Sequence, residues 1–507
     1  MPIYLHGACL VSIFYVTAVV FYRLVLSPLA HFPGPRLAAA TGLYEAYFQL
    51  IKGGTFTWEI NRLHEQYGPI IRIKPNELHI KNPDYYSTLY AGPGKHRNKD
   101  PWFSFISFPQ SIFSTEGHEL HRARRCNLGQ FFKKKAILQF EPVINANIER
   151  LERHFSARVG SDRPLELHTA FQCFASDTVS QYCFGTQEGF HYLDEPELSA
   201  AWKTQINWFF EFCRLNRHVP MLSSLARIFP WITCHVTTPP YKHVHQLEQD
   251  VRSRVRHAIN QHRQSQGSKD GKLPMAIYPT ILADPDVPES EKQSRRLEDD
   301  AIFLMMAGTD APSQAIAITM FHILNNPRVY QKLKEELFEN TTEWNTIHTL
   351  SQLEQLPYLT ATIKEGLRIS SIVTTRLPRI APDEVLQYGR WKIPAGTPVS
   401  MSTYFILKDP DIFPDPTSFV PERWMASPEE VQRLEKYLVP ASKGTLGCLG
   451  QNMNWAWMYL LLATLLRRYN LTLHETTEEN VEMTRDNFIG QTDFGKNNIQ
   501  VKVLAEC

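Results

Sequence analysis

Closely spaced cysteine pairs are missing from this sequence: its eight cysteines, Cys9, Cys126, Cys173, Cys183, Cys213, Cys234, Cys448 and Cys507, are scattered over 507 residues. That scatter excludes the disulfide framework of a small secreted domain and the paired cysteines of a structural zinc site. The main body therefore reads as reduced and cytosol-facing. An excess of one charge is missing too, since 53 Lys and Arg face 52 Asp and Glu. Without a global field, nucleic acid is not an expected partner, whereas apolar small molecules and membranes are. Length alone would allow about three domains. No internal repeat and no shift in composition divides the chain, so one large domain is expected.

What is present begins with an apolar N-terminus. Ala8 to Tyr22 carries no charge, and Leu24, Val25 and Leu26 extend the stretch beyond Arg23. From Ile3 this gives about twenty mostly apolar residues, near the length that spans a bilayer. A cleaved signal peptide and a short buried helix are the alternatives, but Met1 to Gly7 offers only His6 where a signal peptide wants a basic region. Arg23 and Arg36 follow the span, so the positive-inside rule leaves the body in the cytosol. Residues 1–28 are expected to be an anchor and 29–507 the body. Pro33-Gly34-Pro35 cannot continue a helix and would set the angle between them.

In the body, Ile70 to Lys74 and Glu77 to Lys81 are short β-branched runs joined by Pro75-Asn76, which predicts a hairpin. Apolar residues recur at three and four in Ile137 to Phe155, Val251 to His262, Asp300 to Leu324 and Val329 to Leu337, which predicts helices. Gln264 to Leu273 reads as a polar surface loop, and strand-like pieces return near Val385 to Ile393 and Asn498 to Val503. The fold class expected is mainly α with small β-sheets.

Cys448 stands in Pro-Ala-Ser-Lys-Gly-Thr-Leu-Gly-Cys-Leu-Gly (Pro440 to Gly450), directly before the apolar run Met453 to Leu466. At the start of a helix, free N–H groups and the helix dipole favour a thiolate. A lone cysteine is most often a small hydrophobe. As a metal ligand, however, a single thiolate is the haem arrangement. Ala307-Gly308-Thr309-Asp310-Ala311-Pro312-Ser313 lies in a long apolar helix expected to begin near Asp299 and Asp300, and Gly308 with Pro312 predicts a local opening of its hydrogen-bond ladder. Glu365 and Arg368 lie three apart on one helix face, which alone makes a common surface ion pair. Pro421-Glu422-Arg423-Trp424 and the basic run His121-Arg122-Ala123-Arg124-Arg125 complete the candidates. The run, continued by Lys133, Lys134 and Lys135, is either a solvated face or a positive surface for an acidic partner.

Taken together, these segments resemble the haem-thiolate monooxygenases, the cytochrome P-450 superfamily, over about Phe32 to Leu504. The family signature F-x-x-G-x-R-x-C-x-G is matched at Gly444, Cys448 and Gly450, with Ala441 in place of Phe and Leu446 in place of Arg. The resemblance implies the cytochrome P-450 fold, haem b with Cys448 as axial iron ligand, and cofactor contacts from Gly444, Gly450, Ala307 and Gly308. It also implies a buried Glu365, Arg368, Arg423 network on the proximal side. His121 and Arg125 match the spacing of a W-x-x-x-R propionate pair, with His for Trp, and Arg376 is a second propionate candidate. With Leu446 in place of the family's Arg, one cationic anchor is lost, at an expected cost of about 1.5–3 kcal/mol of haem affinity. Asp310 matches the acid of the family's proton relay, whereas Ala311 replaces its hydroxyl residue. Protons would then come by way of an ordered water, Thr309, Ser313 or a substrate hydroxyl, and positions two apart on a helix point to different faces.

The resemblance implies O2 and an NADPH-dependent reductase as partners, and the endoplasmic reticulum membrane as location, with one span and a cytosolic catalytic domain. Trp102, Phe103, Phe105, Phe108 and Phe113, with Trp202, Trp208, Phe209, Phe210 and Phe212, are either core or the lining of a cavity for a bulky apolar substrate. Arg72 to Leu78 and Arg376 to Arg379 resemble fungal secondary-metabolite oxygenases of the trichodiene oxygenase type, which implies a terpenoid or polyketide intermediate. Two other readings stand beside insertion of one oxygen atom. One is rearrangement, ring expansion or substrate-assisted chemistry, suggested by Ala311. The other is a degenerate, non-catalytic relative, suggested by Ala441 and Leu446.

Overall fold

The computed structural model describes residues 2–106, 108–219, 239–265, 276–339 and 349–507. Cys234 and most of the expected loop Gln264 to Leu273 lie outside them, as does the side chain of Phe105. Helices dominate and the sheets are small, in agreement with the periodicity of the sequence. The predicted hairpin forms from Ile70–Lys74 and Glu77–Ile80, with Ile70 opposite Ile80 and Lys74 opposite Glu77. It is one edge of a five-stranded sheet continued by Pro398–Ser400, Arg379–Ile380 and Asn98–Lys99. The C-terminal strand Gln500–Glu506 pairs with both Leu165–Glu166 and Tyr469–Leu473. The seven described cysteines are free.

An N-terminal helix, Pro2–Phe21, continues as a wider turn to Leu26. The stretch His6–Leu26 is long and apolar enough to cross a membrane and none of it is buried. Ser294–Leu324 passes the same test of length and composition, but it is the central helix of the body and mostly buried.

That central helix positions the site. It begins at Ser294, five residues before the expected start, so Asp299 and Asp300 do not serve its N-terminal dipole. Instead their carboxylates accept the Gln110 and Ile112 N–H groups, at 3.1 and 2.8 Å, and fix the loop beneath the aromatic cluster. The helix packs along Leu167–Phe184, a helix buried at every residue but Val179, and crosses Pro357–Ser370 at Gly366. A Cβ on Gly366 would stand 2.3 Å from Thr319 Oγ1, so only glycine permits this approach. Within the central helix Phe303, Leu304, Ala307, Gly308, Ala311 and Pro312 stay accessible while their neighbours are buried. That three-and-four spacing marks one stripe, and it faces an internal cavity.

Candidate active site

The cavity, about 360 Å³, lies between the central helix and the loop that carries Cys448. The loop is built before the helix Gln451–Arg468 begins, with Gly450 as its cap. Cys448 N–H donates to the Ala441 carbonyl at 2.8 Å, Gly447 N–H to Gly444 O at 3.1 Å and Thr445 N–H to Ala91 O at 3.1 Å. Gly444 takes φ +75°, and a Cβ there would meet Ala91 O at 2.3 Å and Tyr90 O at 2.5 Å. Gly444 therefore shapes the loop against the Tyr90-Ala91 backbone and does not line the cavity, contrary to the expected cofactor contact; Gly450 does line it.

Cys448 lines the cavity, and removal of its sulfur from bulk water raises the thiol, opposed by the Gly450 N–H and by Arg125. The helix start alone therefore does not yield the thiolate that the sequence pattern suggests. A bound metal ion deprotonates such a ligand outright.

Basic groups gather at the same cavity. Arg125 donates from Nη1 to the Gly447 carbonyl at 2.7 Å, tying the helix His118–Gly129 to the cysteine loop. His121 also faces the cavity, but burial and the neighbouring Lys99, Arg125 and Arg379 push it far down, so it is a neutral donor. Arg376 is not part of this group. Its guanidinium is fully buried between Glu77, at 2.6 Å, and Glu45, at 2.8 Å, where it braces the five-stranded sheet. The cavity receives Arg379 and Lys99 instead. Arg379 is buried against Tyr90 and Phe103, and Lys99 Nζ donates to the Ile112 and Phe113 carbonyls at 2.9 and 2.7 Å. Burial lowers both. Among the described residues Lys99, Arg125 and Arg379 bond to backbone carbonyls and form an ion pair with no carboxylate, so three basic groups border one apolar cavity.

Glu365, Arg368 and Arg423 come together in the structure. Glu365 and Arg368 are fully buried and meet in a two-pronged pair at 2.9 and 2.8 Å. Arg423 Nε donates to the same carboxylate at 3.2 Å, and so do Val420 N–H at 3.0 Å and Trp424 Nε1 at 3.0 Å. Arg368 spends its remaining donors on the carbonyls of Leu407, Pro416 and Ser418. The tryptophan contact goes beyond the expected network; Trp424 stands where the family motif has Phe, and its indole N–H is the signal that could have pointed to it.

On the opposite wall the central helix remains continuous through Gly308 and Pro312. Pro312 nevertheless has no N–H to offer the Gly308 carbonyl one turn earlier. Ala307, Gly308, Asp310 and Ala311 line the cavity; Thr309 and Ser313 do not. At 3.6 residues per turn, Thr309 and Ser313 each lie about 160° around the helix from Ala311. Thr309 is buried away from the cavity, and Ser313 Oγ bonds back to the Thr309 carbonyl at 2.6 Å. The expectation that Thr309 acts at the site is overturned by this geometry. Asp310 is held by Gln172, whose Nε2 donates to Oδ1 at 2.9 Å, and its Oδ2 has no hydrogen-bond partner among the described residues. His168 Nε2 lies 3.5 Å from Asp310 Oδ1. Glu166, the cap of the same helix, pairs with Lys203 at 3.2 Å.

The remaining lining is apolar. Phe103, Phe113, Phe209 and Phe210 face the cavity, joined by Phe303, Val373, Phe488 and Ile489. Trp102, Phe108 and Trp202 are core residues, Trp208 is exposed, and none of these four lines the cavity; neither does Phe212.

A thiol at the head of a helix, three basic groups that pair with no carboxylate among the described residues, and an apolar wall fit a flat, largely apolar metal macrocycle with anionic edges. This is a haem-thiolate site. The cytochrome P450 family model matches residues 39–498, and the chain belongs to that family. It is 34% identical over 471 residues to the cytochrome P450 monooxygenase TRI4 of Trichoderma arundinaceum, covering 93% of this chain and 90% of that protein. It is 35% identical over 473 residues to the conidiogenone synthase PchP450 of Penicillium rubens, covering 93% of each. It is 37% identical over 467 residues to the tryptophan 6-hydroxylase fscE of Fusarium equiseti, covering 92% and 90%.

The protein is thus a monooxygenase whose cofactor is haem b with a cysteine thiolate ligand, and it works with O2 and a redox partner. Bound haem supplies the oxygen and electron chemistry. The chain's own groups would supply the rest: the loop hydrogen bonds would hold Cys448 toward the cavity, Lys99, Arg125 and Arg379 would receive the anionic edges of the group, and the aromatic wall would exclude water.

Proposed function

We propose that Cys448 is the axial ligand, that Lys99, His121, Arg125 and Arg379 hold the haem propionates, and that the enzyme inserts one oxygen atom into an uncharged, bulky apolar molecule. The observation that carries the substrate reading is the wall itself: among the described lining residues Asp310, whose Oδ1 Gln172 engages, is the only carboxylate. An apolar, uncharged ligand is the one such a surface binds without stranding a charge. A terpenoid or polyketide intermediate of fungal secondary metabolism fits, and the likeness to TRI4 and to the conidiogenone synthase supports it. The aromatic amino acid named by the third relative fits less well, because its ammonium and carboxylate would need partners on that wall.

Residues 1–28 anchor the protein in the endoplasmic reticulum membrane, and residues 29–507 form the catalytic domain on its cytosolic face, supplied by an NADPH-dependent reductase. The unburied apolar stretch His6–Leu26 supports this reading. Microsomes containing the protein and a reductase, given NADPH and a panel of terpenoid and polyketide precursors, are expected to yield a product one oxygen atom heavier. Conversion that proceeds without NADPH or O2 would overturn the reading.

Proton supply follows a modified route. With Ala311 in place and both Thr309 and Ser313 turned away, the final hydroxyl is a water or a group on the substrate, with Asp310 and His168 behind it. The substrate-assisted chemistry raised by Ala311 is thereby favoured as a variant of oxygenation. Against the non-catalytic relative that Ala441 and Leu446 suggest stand Cys448 at the cavity and the intact Glu365, Arg368 and Arg423 contacts.

A further inference from the structure

Outside the cavity, one cluster of side chains has the composition of a metal site. Where the segment before Asn98–Lys99 meets the first turn of the helix His118–Gly129, donor atoms of His96, His118 and Glu119 all lie within 4.8 Å of one another. Glu119 Oε1 is 3.7 Å from Nε2 of His96 and 4.0 Å from Nε2 of His118. Each side chain has its other polar atom engaged elsewhere. His96 Nδ1 is 2.7 Å from Asp383 Oδ2, Glu119 Oε2 is 3.6 Å from Arg122 Nη1, and His118 Nδ1 is 3.5 Å from the Arg97 N–H. Asp383 accepts from His96 Nδ1, so a cation between His96 Nε2 and Glu119 would meet the carboxylate-histidine arrangement that orients metal-bound imidazoles.

We propose that His96, His118 and Glu119 bind a zinc ion, with Asp383 orienting His96 and a water in the fourth position. Zinc bonds of about 2.0–2.2 Å place tetrahedral donors roughly 3.3–3.5 Å apart. The observed separations, from 3.7 Å to at most 4.8 Å, exceed this, and the exposed His96 and Glu119 side chains can close the gap by rotation. The long His118 approach to the Arg97 N–H is the one given up, because a coordinated imidazole carries a proton on its other nitrogen. The site joins three segments of chain. One leads within three residues to Lys99, another begins the helix that presents His121 and Arg125, and the third is the Asp383 turn after Arg379–Ile380. Zinc there clamps together the elements that carry the basic groups of the cavity.

The test uses the full-length, haem-loaded enzyme after dialysis against a chelator, titrated with zinc sulfate by calorimetry. One saturable site per chain is expected, with a rise in the thermal unfolding midpoint. His96→Ala and His118→Ala should abolish both effects. Asp383→Ala should weaken binding about 10–100-fold, as loss of an orienting carboxylate does. Failure to bind one zinc, or binding unchanged in the two histidine variants, would overturn the proposal; neither result depends on substrate turnover.

Discussion

The buried carboxylate of Glu365 offers a sharp test of how the proximal side is held. It accepts five hydrogen bonds, from Arg368 Nε and Nη2, Arg423 Nε, Val420 N–H and Trp424 Nε1, while Glu365 and Arg368 have no solvent exposure. Trp424→Phe removes one of these and keeps aromatic packing beside Phe413, 6.0 Å away. Loss of one hydrogen bond to a charged group costs about 1.5–3 kcal/mol. Glu365→Gln preserves shape but leaves the Arg368 charge buried without an anion and points an amide N–H at other donors. Removing one partner of a buried pair costs about 3–5 kcal/mol. Urea unfolding of the haem-loaded variants, followed by tryptophan fluorescence and by haem loss, should order them as wild type, Trp424→Phe, then Glu365→Gln. A Glu365→Gln midpoint equal to the wild type, or above that of Trp424→Phe, would refute the reasoning.

Other sites in the molecule give further expected outcomes. Ala311→Thr places a hydroxyl on the cavity stripe and should raise product formed per NADPH, whereas Thr309→Ala should leave that ratio unchanged; His168→Gln should lower it and steepen the solvent deuterium isotope effect. Arg379→Met and Lys99→Met should each weaken haem retention, by about 1.5–3 kcal/mol per charge-assisted hydrogen bond removed, measured as haem transfer to an apoprotein acceptor. Arg376→Met should instead unfold the sheet more readily, because it removes the buried cation that joins Glu77 to Glu45 and leaves Glu77 with no ionic partner. Acid should destabilise the fold through His64 and His79, buried and joined Nε2 to Nδ1 at 2.7 Å. Burial lowers His64 to about 4 and His79 further. The unfolded imidazoles take up protons below about 6.5, so each costs up to about 1.4 kcal/mol per pH unit as pH falls from there toward 4. Above pH 7 the contribution is constant. Thermal midpoints of a His64→Leu, His79→Leu double variant should show a shallower slope over that window.

The residues legible in the sequence are those whose partners are near in the chain or ordered by a motif. Glu365 and Arg368 share a helix face, and Arg423 follows in a recognisable element, so their meeting is foreseeable. Arg376 and Arg379 are not separable in the same way. Across an extended segment, residues an odd number apart point to opposite faces, and which face holds the cavity depends on Glu45 and Glu77, the nearer of them 299 residues before Arg376. Lys99 escapes a sequence reading because its two-residue strand has no pattern of its own. The Thr309 expectation fails on the same periodicity that disfavours Ser313: both stand two residues from Ala311. The buried Asp299 and Asp300 read as helix-start acids because the sequence shows charge but not which loop N–H groups lie above it.

The central claim is that Cys448 ligates haem as a thiolate in a loop without the family's Phe and Arg. The carbon-monoxide-bound, reduced absorption spectrum of the purified protein tests it most directly. A Soret band at the thiolate-ligated position, lost in Cys448→Ser, is the predicted result. A band at the position of a neutral or histidine ligand, or one unchanged in Cys448→Ser, would contradict it.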